Sequence, residues 1–276
     1  MSEVAPSVGG GGRPHLAIEH LSKVYETGTG PVEALHDIST TVDNGAFVSI
    51  IGPSGCGKST LLKIILGVIG HEGGRAYLRD MPIDGPQVGA GMVFQQPALP
   101  PWRKVLPNIL LPVDVLGLPR RDYRERALHL LDLVGLRGFE DKYPRELSGG
   151  MQQRVSICRA LIHDPDLLLM DEPFGALDAM TREIMQGEIL RIWRDSGKTI
   201  LFVTHSIDEA VLLSDRVIVM SPRPGRILRD IAIDLPRPRG GELRQTARFQ
   251  AYAGQLRELL GLIDHNAQPP EPEDHG

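Results

Sequence analysis

The segment AFVSIIGPSGCGKSTLLKIILGV, residues 46–68, decides the fold. Ala46 to Ile51 is a short, almost continuous apolar run of the kind that forms a buried strand, and Gly52-Pro53 stops it. Leu61 to Val68 follows at helical length, so the order is strand, loop, helix. The loop itself, Gly52, Pro53, Ser54, Gly55, Cys56, Gly57, Lys58, Ser59 and Thr60, fits the phosphate-loop pattern. Its glycines let backbone N–H groups wrap an anion, and the helix behind them offers its positive end. Lys58 is expected to reach the β- and γ-phosphates of a nucleotide, and the Ser59 hydroxyl to bind Mg²⁺. Cys56 sits inside the loop, where a thiol reagent is expected to reach it.

Working outward, Leu167 to Met170 is an apolar strand ending in the adjacent carboxylates Asp171 and Glu172. Asp171 suits support of Mg²⁺, and Glu172 suits polarising a water for attack on the γ-phosphate. Gln95 ends the Gly91 to Phe94 strand, and His205 follows the Thr199 to Val203 strand. Four strand ends thus deliver polar groups toward one rim, where open α/β sheets place their ligands. Arg216 to Met220 adds another strand, and helix-like stretches at Met180 to Asp195 and Ile207 to Ser214 lie between. Strands alternating with helices predict a parallel α/β sheet. His15 to Glu19 and Val32 to Val42 alternate loosely, which predicts antiparallel strands near a sheet edge. From Pro97 to His163 the periodicity is helical (Val105 to Val115, Tyr123 to Val134, Met151 to Ile162), an all-helical insertion.

Within that insertion Ser148 is placed to cap a helix whose first turn carries Gly149 and Gly150. This is a second anion-ready helix end. It is either a plain capped helix or a group that serves another molecule's nucleotide, in which case two chains meet head to tail around two ATPs.

Composition bounds the rest. The 276 residues include 31 glycines and 22 prolines, with 41% hydrophobic and 24% charged residues, an ordinary globular balance. A net charge of -5 gives no global field toward nucleic acid or anionic lipid. Cys56 and Cys158 have no metal-type spacing, so a reducing compartment is expected. A membrane span takes about 20 consecutive apolar residues, and the longest apolar runs are far shorter. The Gly-rich residues 1–14 are read as a flexible tail. Past Leu235 a Pro-Arg-Pro-Arg run breaks the chain, a helix is expected from Glu242 to Ile263, and residues 268–276 are read as an acidic disordered tail.

With these residues in place the sequence resembles the ATP-binding subunits of ABC transporters from about His15 to Leu235. The resemblance implies a P-loop NTPase core with an antiparallel β edge and an all-helical subdomain at about 97–163. Walker A corresponds to Gly52 to Thr60, the Q-loop to Gln95, the signature to Leu147 to Gln152, Walker B to Leu167 to Asp171 with Glu172 following, the D-loop to Ala176-Leu177-Asp178, and the H-loop to His205. It further implies that Tyr25 stacks on adenine, that Gln95 joins Ser59 and Asp171 at the Mg²⁺ ion, and that Arg154 is the signature-helix arginine. Two copies would then close on two ATP with Mg²⁺, each site combining one chain's Lys58, Gln95, Glu172 and His205 with the other's Ser148 and Gly150. Closure would drive a membrane permease from the cytoplasmic face, with an extracytoplasmic binding protein as an indirect partner. The seam from Gln95 to about Leu118 is the expected permease groove. Pro97 to Trp102 and Met220 to Ile227 resemble the nitrate, sulfonate and taurine importer branch. Met151, where the signature often has Gln, and Ser206, where Asp commonly follows the His, depart from the family pattern.

The competing reading is a soluble ABC-type ATPase acting in DNA repair, chromosome organisation or translation. Repair and chromosome relatives carry coiled coils or zinc modules between Walker A and signature; here about 85 to 90 residues intervene and heptads are absent. Translation-factor relatives carry two cassettes on one chain. The residues past Leu235 are too few for the regulatory domain of sugar-type importers.

Overall fold

In the computed structural model, residues 14–267 are described, with side chains to residue 261. The expected tails at 1–13 and 268–276 lie outside the described residues. A four-stranded antiparallel sheet, in the order β2-β1-β4-β5, is built from β1 (Leu16–Thr27), β2 (Gly30–Val42), β4 (Gly73–Leu78) and the short β5 (Met81–Pro82). A six-stranded sheet, in the order β10-β9-β3-β8-β7-β6, contains β3 (Phe47–Ile51), β6 (Ala90–Val93), β7 (Leu167–Asp171), β8 (Thr199–Val203), β9 (Arg216–Met220) and β10 (Ile227–Ala232). Its members pair in parallel except β10, which runs antiparallel to β9.

The central strands read as continuous apolar runs because both faces are covered. Side chains nevertheless alternate across the sheet. Phe47, Ile51, Leu168, Met170, Ile200 and Phe202 face one core, and Val48, Ile50, Leu167, Leu169, Leu201 and Val203 the other. Helix α1 (Lys58–Ile65) packs in the second core with the antiparallel sheet. The first core takes the helical layer, α2 (Val105–Ile109), α3 (Leu111–Val115), α4 (Arg120–Leu133) and α5 (Gly149–Leu161), and also α6 (Ala179–Ser196) and α7 (Ile207–Leu213). Asp178 caps α6 by accepting the Thr181 N–H at 3.0 Å, and Gly197 ends it in a left-handed turn.

Several elements differ from expectation. The strand expected at 15–19 runs on to Thr27, and it lies inside its sheet because β4 covers its far side. The helix expected over 105–115 is two short ones that meet at Leu110, with Pro112 opening the second. The C-terminal helix α8 (Ala247–Ala267) begins later than expected, after a 3-10 turn at Gly241–Gln245. Its Phe249, Ala253 and Leu256 are fully buried in the first core. Arg239 fastens the approach to it, donating to the carbonyls of Val211, Ser214, Ile233 and Leu235.

Candidate functional site

The carboxyl ends of β3, β6, β7 and β8 lie side by side, with Val93 beside Met170, Asp171 beside Val203 and Val203 beside Ile50. At this rim a cavity of about 450 Å³ opens between the phosphate loop and the β1–β2 hairpin. Ser54, Gly55, Gly57, Lys58, Ser59, Thr60, Gln95 and Glu172 line it, with Tyr25, Thr27, Val32 and Ala34 from the hairpin. Gly57 enters α1 at φ 103°, and no side chain caps that helix. Its first-turn N–H groups therefore face the cavity unclaimed by a cap. A Cβ at Gly57 would sit 2.6 Å from Leu35 Cδ2 and 2.8 Å from the Ala34 carbonyl, so both conformation and space demand glycine.

The Lys58 ammonium is buried and donates to the carbonyls of Gly52 and Pro53 at 2.8 and 2.9 Å. Cys56 lies beneath the loop, 1% exposed, with Lys58 Nζ 3.7 Å from its sulfur. Burial pushes its thiol up, against the neighbouring ammonium. The expectation of a reagent-accessible Cys56 is therefore corrected, since the thiol packs inward and the loop exposes backbone instead. The Tyr25 ring is partly exposed, its hydroxyl 3.3 Å from Thr60 Oγ1 and Lys23 Nζ 5.2 Å from its centre.

Asp171 is buried, and its interaction with the Ser59 hydroxyl favours the charged form of the carboxylate. Burial pushes its carboxyl up, and the Glu172 charge adds to this; Ser59 and Lys58 act against it. Ser59 lines the cavity and Asp171 is buried next to Glu172, which also lines it, so two hard oxygen donors are available beside the phosphate loop. Among the described residues no cluster of three or more His, Cys, Asp or Glu could hold a metal by itself. Two oxygen donors beside a phosphate cavity fit Mg²⁺, which keeps waters and takes few protein ligands plus substrate phosphates.

Glu172 leaves β7 with φ 46°, a left-handed conformation uncommon for a side-chain-bearing residue. Its N–H donates to Val203 O at 2.9 Å, and its carbonyl accepts from Gly175 N at 3.2 Å. Two groups converge on one of its carboxylate oxygens: Gln95 Nε2 donates to Oε2 at 3.1 Å, and His205 Nδ1 lies 3.4 Å from it. Glu172 lines both the large cavity and a small one of about 40 Å³ shared with His205.

Ser148, Gly149, Gly150, Gln152 and Asp178 do not line the phosphate-loop cavity. Ser148 Oγ caps α5 by accepting the Met151 N–H at 3.3 Å. Gly150 lies against Leu177 and Ala176, so the start of α5 abuts the turn leading to Asp178. Gln152 donates back to the Pro144 and Leu147 carbonyls. Arg154 is half-buried and does not line the cavity; it donates to Val134 O at 2.7 Å where α4 ends.

Three residues escaped the sequence reading. Gln153, 1% exposed, donates to Phe94 O at 3.1 Å, and Arg159 donates to the Ala98 and Pro97 carbonyls at 2.9 and 2.8 Å. They bind α5 to the chain on both sides of Gln95. Arg223 lines the cavity and donates to the Gly55 carbonyl from Nε at 3.2 Å and Nη2 at 3.1 Å. No spacing rule marks them, because each meets a backbone carbonyl far away in sequence.

Residues 35–175 match the ABC transporter family. The chain is 48% identical over 245 residues to an uncharacterized ABC transporter ATP-binding protein of Methanocaldococcus jannaschii, covering 89% of this chain and 91% of that one. It is 44% identical over 256 residues to a taurine import ATP-binding protein of Roseobacter denitrificans, covering 90% and 93%. It is 46% identical over 224 residues to an aliphatic sulfonates import ATP-binding protein of Bacillus licheniformis, covering 81% and 87%. Among solved structures, a dimeric ATP-binding cassette bound to ADP and Pi in a post-hydrolysis state superposes with a TM-score of 0.73 at 32% identity, covering 80% of this chain and all of that one.

Proposed function

The chain belongs to the ABC transporter family as an ATP-binding subunit and an ATPase, and on that premise we propose that two copies close head to tail around two ATP to power import of a small sulfonate-type solute through a separate permease. The observation that carries the hydrolytic part is the meeting of Gln95 and His205 at Glu172 Oε2, on the rim of the phosphate-loop cavity.

In this reading the α1 N–H groups and Lys58 hold the phosphates, and Tyr25 stacks on the adenine. Ser59 and Asp171 hold Mg²⁺, which when bound supplies charge neutralisation at the terminal phosphates. The Glu172 carboxylate orients the attacking water and takes its proton, while Gln95 and His205 fix the carboxylate's direction, and the His205 edge is free to meet a γ-phosphate oxygen. Such catalysis is mostly positioning and electrostatics. A single chain leaves the open side of the γ-phosphate uncovered; Ser148 and Gly150 of a second copy would close it with helix-terminal N–H groups, and Asp178 would meet the same seam.

Importer identity is supported by the taurine and sulfonate import relatives. A place for the permease is supported by Trp102 and Val115, both 76% exposed, which flank the seam after Gln95. No helix among the described residues is long and apolar enough to cross a membrane, so attachment at the cytoplasmic face would run through that permease. The test is reconstitution in lipid vesicles with the permease encoded beside it and an extracytoplasmic binding protein. Taurine or an alkanesulfonate should accumulate only with ATP, and Glu172→Gln should abolish uptake; ATP-independent uptake, or none of either solute, would contradict the reading.

A further inference from the structure

The side chain of His205 is 70% exposed, so packing does not place it. What fixes it is the backbone on either side, and that backbone is held by a buried hydrogen-bond chain reaching in from beyond Leu235. The Thr204 hydroxyl donates to Glu209 Oε2 at 2.6 Å and accepts the Ser206 N–H at 3.0 Å, spanning His205. Ser206 Oγ in turn accepts the Glu209 N–H at 3.3 Å, which caps α7. Glu209 Oε1 accepts from Gln186 Nε2 of α6 at 3.3 Å, and Gln186 Oε1 accepts from Arg244 Nη2 at 2.8 Å. Thr204, Gln186 and Glu209 are 2, 3 and 6% exposed. Arg244 belongs to the 3-10 turn before α8, and its Nη1 is anchored on Glu183 at 2.8 Å.

We infer that Arg244 is a positioning residue for His205, acting through Gln186, Glu209 and Thr204, so that the segment beyond Leu235 sets the hydrolytic site. This rests on the role given to His205 above. Each link is a polar group that needs its neighbour, because a buried donor or acceptor left unmade is costly. Gln186 orients its amide so that the oxygen faces Arg244 and the nitrogen faces Glu209; without Arg244 that polarity is no longer enforced. The carboxylate of Glu209 can then leave Thr204, and the Ser206 N–H loses a fixed acceptor.

The test is steady-state ATPase kinetics of the full chain with Arg244→Ala, Thr204→Val, Thr204→Ser and His205→Ala. Arg244→Ala and Thr204→Val should each lower kcat by about three- to ten-fold, the rate equivalent of one hydrogen bond, and leave KM for ATP unchanged. Thr204→Ser, which keeps the hydroxyl, should restore kcat. Unchanged kcat in Arg244→Ala, or a KM that rises in step with the loss, overturns the inference, provided that His205→Ala is slow. A His205→Ala chain with full kcat would instead remove the role of His205 itself.

Discussion

At the scale of single residues, the site depends on charges held at short range by backbone. Lys58 is stored against two carbonyls of its own loop, close to where terminal phosphates would bind. Lys58→Ala should weaken ATP binding by roughly ten- to a hundred-fold, the worth of one charge-assisted hydrogen bond, measured by titration calorimetry. The phosphate loop was legible because its chemistry demands fixed glycines at fixed spacing, and Glu172 because an acidic pair ended an apolar strand. Cys56 was misread because spacing says that a residue is inside a loop, not which way its side chain points. Gln153, Arg159 and Arg223 were invisible for a related reason. A side chain that serves a distant carbonyl leaves no periodic mark in the sequence.

At the scale of elements, long apolar strands and helices are legible from periodicity, whereas β4 and β10 are not. β4 and β10 carry many exposed positions, and β4 opens on two glycines, so neither shows a clear alternation. The break between α2 and α3 followed from Pro112, a residue that starts a helix more readily than it continues one. Beyond it, Asp114 of α3 is clamped by Arg120 and Arg103. The Arg120 guanidinium, aided by Arg103, holds its carboxyl down at about 2, against the cost of burial. A carboxylate whose folded pKa is lowered stabilises the fold fully above its ordinary pKa and loses that contribution as pH falls. The clamp should therefore weaken from about pH 4 toward pH 2. In acid titration followed by circular dichroism, Asp114→Asn should remove part of the stability difference between pH 5 and pH 2; an unaltered acid profile would mean that the clamp contributes nothing.

At the scale of the whole molecule, the residues beyond Leu235 are part of the body that carries the site. Phe249 is fully buried against the first core, and α8 packs on α7, the helix that follows His205. Phe249→Ala should cost about 3–5 kcal/mol in urea denaturation, the range for emptying an aromatic core position. The same view applied to the nucleotide explains the division of labour. One chain brings the phosphate loop, Gln95 and Glu172 to one cavity, sets His205 against Glu172 in the small cavity beside it, and leaves Ser148 and Gly150 away from both, on a capped helix end of their own. Head-to-tail closure requires a second copy to supply that end. In light scattering with saturating ATP and Mg²⁺, Glu172→Gln should show twice the chain mass, falling back to one chain when Ser148→Arg is added. A single-chain mass for Glu172→Gln, or a dimer indifferent to Ser148→Arg, would contradict head-to-tail closure.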